Sequence, residues 1–150
     1  MIKKLLIAIV IGMLLVTPTH AKETPTAKKI SYISASTGLV LPVRGLGNES
    51  ISSWGLTQWK KALENDQEWL FSHLADSGVN LSQIIKGSTI TVGYEDGTTK
   101  LLTVTSVNEH AGKGKGLFSE YKKSESLVLQ TCIEKNGDLT WGILIIVAEP

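Results

Sequence analysis

Apolar and polar positions alternate from Ser88 to Tyr94, with Ile90 and Val92 set against Thr89 and Thr91. That period of two is the pattern of a half-buried strand. Glu95-Asp96-Gly97 interrupts it as a hairpin turn. The strand pattern continues from Thr99 to Val107 with Leu101, Leu102, Val104 and Val107. A second pair follows, Ser126 to Cys132 and Leu139 to Ala148, around a turn carrying Asn136-Gly137. Asn-Gly between apolar runs is a strong hairpin signal. Earlier in the chain, Ile30–Ala35 and Leu39–Val43 read as short strands split by Thr37-Gly38. Pro42 marks the second of these as an edge or terminating strand.

Helical period is rarer. Leu56–Glu64 places Trp59, Ala62 and Leu63 on one face behind a Thr57 cap, so a helix is expected there. Glu68–Ser72 reads as a short strand delivering His73. Asn80 is placed to cap a helical turn through Ile85, closed by Gly87. The segment Asn108 to Ser119, with Gly112, Gly114 and Gly116 around Lys113 and Lys115, reads as a loop. Short strands at regular spacing with turn signals point to a mainly β domain, a barrel or sandwich. No internal repeat is present.

The N-terminus has a different character. Lys3 and Lys4 precede an apolar run from Leu5 to Val16, followed by Thr17-Pro18-Thr19-His20-Ala21. A basic start, a short apolar run and small residues before a cut describe a secretory signal, here residues 1–21. The run is shorter than the roughly 20 residues that span a bilayer. Cleavage after Ala21 is the first expectation, and an uncleaved membrane anchor is the second. Residues 22–29 read as a linker, and 30–150 as one domain.

The composition holds 15 Lys+Arg and 14 Asp+Glu, and the leader takes two of the lysines. No basic excess remains to suggest nucleic acid. Export alters the meaning of the chain's single cysteine, Cys132. Outside the cytoplasm a lone thiol is buried and inert, paired between chains, or reactive. The mature domain holds two histidines, His73 and His110, and a Cys-His pair is a minimal apparatus for nucleophilic catalysis. Two histidines without a cysteine or carboxylate cluster make no metal site. No cofactor is expected.

A resemblance sharpens the choice between these readings. His73-Leu-Ala-Asp-Ser-Gly, the turn Leu81–Ile85, and Lys86-Gly87-Ser88 before the strand Thr89–Val92 resemble the sortase pattern. Tyr94, Gly97 and Val104 to Val107 resemble the hairpin that follows, and Leu129-Gln130-Thr131-Cys132 is similar to the family's Leu-x-Thr-Cys signature. The run Ile30 to Val43 resembles the family's first two strands.

The resemblance implies an eight-stranded β-barrel with one or two short helices and a cysteine transpeptidase working without a cofactor. Cys132 would be the nucleophile and His73 its partner. The substrate would be an exported protein or peptide carrying a sorting motif, cleaved through a thioester and passed to an amine acceptor. Such a protein would act as a monomer at the cell surface. Thr131, His110, Lys113 and Lys115 would border the substrate groove.

Three positions depart from the pattern. Ser72 replaces the glycine before the histidine, and Ser88 replaces an acidic residue. Ile143 stands where the family carries an arginine early in its last strand, and Arg44 is the chain's only arginine. The candidates for the oxyanion donor are then Arg44, a lysine from the Lys113–Lys115 loop and backbone N–H groups near Cys132, with Arg44 the most attractive chemically because a guanidinium offers a planar two-pronged contact. The departures keep open a catalytically weak or inactive peptide-binding protein of the same fold, and a hydrolase in which water replaces the amine.

Overall fold

The computed structural model describes residues 27–49, 53–73, 78–112, 116–121 and 125–150. The proposed leader and most of the linker lie outside these residues, as do Lys113 and Lys115. Eight strands close into one barrel: β1 (Ile30–Ala35), β2 (Val40–Gly47), β3 (Leu56–Trp59), β4 (Glu68–Ser72), β5 (Thr89–Tyr94), β6 (Thr99–Ala111), β7 (Leu127–Lys135) and β8 (Asp138–Glu149). Their order around the barrel is β1-β2-β3-β4-β7-β8-β6-β5. Among the described residues two short helices, α1 (Lys60–Leu63) and α2 (Leu117–Tyr121), lie in the connections.

Alternation along each strand divides the side chains between two clusters. Leu127 and Leu129 of β7 and Leu144, Ile146 and Ala148 of β8 join Ile33, Leu41, Ile90 and Leu102 inside the barrel. Val128 of β7 and Ile145 and Val147 of β8 point outward, where Ala62 of α1, Trp69 of β4 and Leu117 of α2 cover them. Both faces of these strands are thus dry, which explains their unbroken apolar sequence. Val79, Leu81 and Ile84 plug the barrel end that His73 and Cys132 occupy, each essentially fully buried.

The hairpins follow from local chemistry. Asn136 and Gly137 both adopt positive φ, 55° and 81°. A two-residue hairpin turn with that geometry matches strand twist, and Asn-Gly tolerates it best.

Four expectations change. Leu56–Gln58 is strand, because β3 pairs in parallel with β2 and antiparallel with β4. Helix survives only as the single turn α1. Asn108 to His110 belong to β6, paired across to Ile145, Leu144 and Ile143 of β8. The stretch after Asn80 is a set of turns: Asn80 Oδ1 accepts from the Ser82 amide at 2.8 Å, and the Ile84 amide donates to Leu81 at 2.9 Å. Pro42 ends no sheet. It sits where β2 changes partner, pairing with Tyr32 of β1 just before Val43 takes up Leu56 of β3. A residue without an N–H fits such a junction.

The last linker residues are fastened to the barrel. The Ala27 amide meets Asp66, Gln58 Nε2 donates to Lys28 O at 2.8 Å, and Lys28 pairs with Asp96 at 2.9 Å.

Candidate active site

The site begins in the β4–β7 pairing. These strands run parallel, with Phe71 opposite Gln130 and Ser72 opposite Thr131. The Ser72 hydroxyl donates to Thr131 Oγ1 at 3.3 Å, and both residues are 3% exposed. One residue further on, His73 and Cys132 emerge side by side. Their Nδ1 and Sγ atoms are 3.0 Å apart. That contact suits either a thiol donating to a neutral ring or an imidazolium donating to a thiolate. Cys132 is half-buried and His73 exposed.

Two clefts meet at this pair. Along the outer face of the sheet runs one of about 340 Å³, lined by Trp59, Trp69, Phe71, His73, Phe118 and Ile143 among others. Its aromatic residues pack edge to face, with Trp59 at 4.9 Å from Phe118 and 5.4 Å from Trp69 between ring centroids. At the barrel mouth a smaller cleft of about 240 Å³ is lined by Cys132, Thr131, Asn80, Glu109, Glu134 and Leu144 among others. The thiol therefore sits on the ridge between an aromatic trough and a polar hollow.

The row across the sheet at this level is His110, Ile143 and Cys132. Ile143 is register partner to both of the others. It presents an apolar side chain to the cleft and no donor. His110 Nε2 lies 2.6 Å from Tyr121 Oη, tying β6 to α2. Burial, reinforced by Glu120, raises the Tyr121 pKa, so the phenol keeps its proton. Donating to Tyr121 or accepting from it, His110 serves the wall of the cleft rather than the thiol.

The expected site residues are distributed unevenly. Cys132, His73 and Thr131 come together, and His110 stands two strands from Cys132. Arg44 does not join them: it lies exposed on β2, in a separate hollow with Lys29, Gln58 and Glu95. Strands β3 and β4 separate β2 from β7. Lys113 and Lys115 lie outside the described residues, but Gly116 lines the outer cleft. Sequence reasoning missed Gln130, whose Oε1 accepts from Trp69 Nε1 at 3.1 Å. Its place two residues before Cys132 was the available signal, since i and i+2 share a face. Among the described residues no group of three or more His, Cys, Asp and Glu is set to hold a metal, and no helix is long and apolar enough to cross a membrane.

No family model and no curated protein matches the sequence. Solved structures do. Sortase C1 of Streptococcus suis superposes with TM-score 0.61 at 18% identity, covering 81% of this chain and 72% of that one. A lid mutant of sortase A from Corynebacterium diphtheriae gives 0.62 at 18% identity, over 79% of this chain and 68% of the other. Sortase C of Clostridium perfringens with the C-terminal cell wall sorting motif gives 0.61 at 12% identity, over 82% and 71%. The chain has the sortase fold, an eight-stranded closed barrel.

Proposed function

We propose that this chain is a sortase-type cysteine transpeptidase acting on exported proteins outside the cytoplasm. The 3.0 Å contact between Cys132 Sγ and His73 Nδ1 carries the reading. A thiolate beside an imidazolium is both a nucleophile and a proton source. The thiolate attacks the carbonyl carbon of a sorting-type peptide, and the tetrahedral adduct collapses as His73 gives its proton to the leaving amine. The acyl group stays on Cys132 as a thioester. An incoming amine then attacks the thioester, His73 takes its proton, and the new amide leaves with the thiolate restored. The aromatic cleft suits the acyl segment, which must stay bound through both halves. Export, and residues 1–21 as the leader, are part of the same proposal.

The oxyanion needs a donor that Ile143 does not offer. Arg44 faces a different hollow, which leaves Lys113 or Lys115, the latter next in sequence to Gly116, and backbone N–H groups near Cys132. Ile143 also favours a second reading, a weak or inactive peptide binder of the same fold. Intact-mass measurement after incubation with a panel of sorting-type peptides decides between them. Transpeptidase function requires an acyl adduct on Cys132 that an added amine discharges and that is lost in Cys132→Ala and His73→Ala. Peptide binding without any adduct supports the second reading.

A further inference from the structure

Between the thiol and the aromatic walls of the outer cleft stands one amide whose orientation the fold fixes. Gln130 is half-buried and lines the cleft together with His73 and Ile143. It precedes Cys132 by two residues on β7, so both side chains leave one face, separated by about 7 Å along the strand. Trp69, 1% exposed, donates its indole N–H to Gln130 Oε1 at 3.1 Å. An indole nitrogen only donates, so the carboxamide must show Trp69 its oxygen. Its Nε2 is thereby turned the other way, and it has no hydrogen-bond partner among the described residues. That atom is not among the buried polar atoms left unpaired. It is an oriented donor open to the cleft.

We infer that Gln130 is a specificity-determining residue. Its Nε2 donates to an acceptor-bearing side chain of the substrate, an amide or hydroxyl, two residues before the scissile carbonyl. This deepens the transpeptidase reading and takes its register from it. An extended peptide with its scissile carbonyl over Cys132 repeats every two residues by about the same 7 Å, which brings that side chain over Gln130. The acyl segment is the part that lies here, because the cleft runs back along β7 from Cys132. In the other direction Glu134 to Asp138 are exposed, leaving the departing segment free. Trp59, Trp69, Phe71 and Phe118 strip water from whatever enters. A polar side chain then finds its partner at Gln130, whereas an apolar one leaves the amide without water or partner, a mismatch that discriminates strongly. Trp69 acts as a positioning residue through Gln130.

Binding tests this without chemistry. Hexapeptides alike except for Asn, Thr, Lys or Leu at that position are titrated by fluorescence anisotropy against full-length Cys132→Ala, alone and combined with Gln130→Glu, Gln130→Leu or Trp69→Phe. Glu still accepts from Trp69 but replaces the donor with a carboxylate. The expected result is that Gln130 favours Asn and Thr over Leu and Lys by about tenfold or more, that Gln130→Glu inverts the order toward Lys, and that Gln130→Leu favours Leu. Trp69→Phe, which keeps a ring and drops the N–H, is expected to flatten the Asn-to-Leu ratio while the Leu peptide still binds. An order unchanged across the Gln130 variants overturns the inference. So does the absence of binding by every peptide, and an unchanged ratio in Trp69→Phe overturns the positioning role. Thioester formation by the chain with Cys132 intact is scored separately. Adducts with an unchanged order leave the transpeptidase standing, and an inverted order without adducts leaves the peptide site standing on an inactive protein.

Discussion

Ser72 and Thr131 share a 3.3 Å hydrogen bond across the parallel β4–β7 pair, one residue before His73 and Cys132. Both are buried, so the bond ties the two strands together where the His73 and Cys132 side chains emerge. Thr131→Val leaves the Ser72 hydroxyl buried without its partner, which costs about 1–3 kcal/mol. Replacing both groups with apolar ones of similar shape is close to neutral. Urea denaturation is therefore expected to show Thr131→Val less stable than Ser72→Ala/Thr131→Val. A double variant less stable than Thr131→Val would mean that the bond does not couple the strands.

Cys132 is half-buried, and its thiol is in contact with an imidazole. Iodoacetamide is expected to label it in the folded protein at pH 7. His73→Ala removes the group that favours the thiolate and is expected to slow labelling by about tenfold. Mass spectrometry over a time course reads both rates. Labelling only after denaturation would make the thiol a packing group.

Much of the barrel is written locally. The stretches behind β1, β4 and β5 and the two hairpin turns follow from alternation and turn chemistry alone. Leu56 to Gln58 misled because the chain just beyond them, Lys60–Leu63, does make one helical turn. Those three residues are strand because of partners in β2 and β4 that no local window contains. Asn108, Glu109 and His110 looked like a loop for a similar reason: their polarity is tolerated on a long strand paired to β8. In the site, the sequence names Cys132 and His73 as chemical types. Their 3.0 Å contact depends on the β4–β7 register, a parallel pairing between segments far apart in the chain. Gln130 was hidden because an amide between two apolar runs has no distinctive pattern until Trp69 is seen to hold it.

At the barrel end opposite the thiol, Tyr94 donates to Glu68 Oε1 at 2.7 Å, while Lys100 lies 3.6 Å from Glu68 Oε2. Burial, then the hydrogen bond to Glu68, raises the Tyr94 pKa well above the usual phenol range. The folded chain thus keeps a proton that the unfolded chain releases near pH 10. A raised folded value means stability present below that pH and lost as pH climbs beyond it. Tyr94→Phe is expected to be less stable than the parent at pH 7, by about 1.5–3 kcal/mol for a lost bond to a charged group. It is also expected to lose less stability than the parent between pH 10 and 11. Parallel thermal melts at both pH values check this, and equal alkaline losses would show that Tyr94 is not the group responsible.

Ile143 faces Cys132 directly in the β7–β8 register and borders the aromatic cleft. An acyl-transfer site must place a donor near the tetrahedral oxygen, and one such donor is typically worth about 100- to 1000-fold in rate. Position 143 has a side chain on the same face as the thiol and one strand away, so a long cationic residue there reaches the reacting carbonyl. Ile143→Arg is expected to raise the rate of acyl adduct formation toward that range, with its guanidinium offering two parallel donors. Ile143→Met is the matching control, since it keeps a long apolar side chain and adds no donor, and it is expected to leave the rate within about threefold. The substitution removes a half-buried residue packed against the outer cluster to which Trp69 and Leu117 belong, so melting temperatures accompany the kinetics. A stable Ile143→Arg protein with no gain would indicate that the oxyanion is already served from elsewhere, by a backbone N–H near Cys132 or a lysine at 113 or 115.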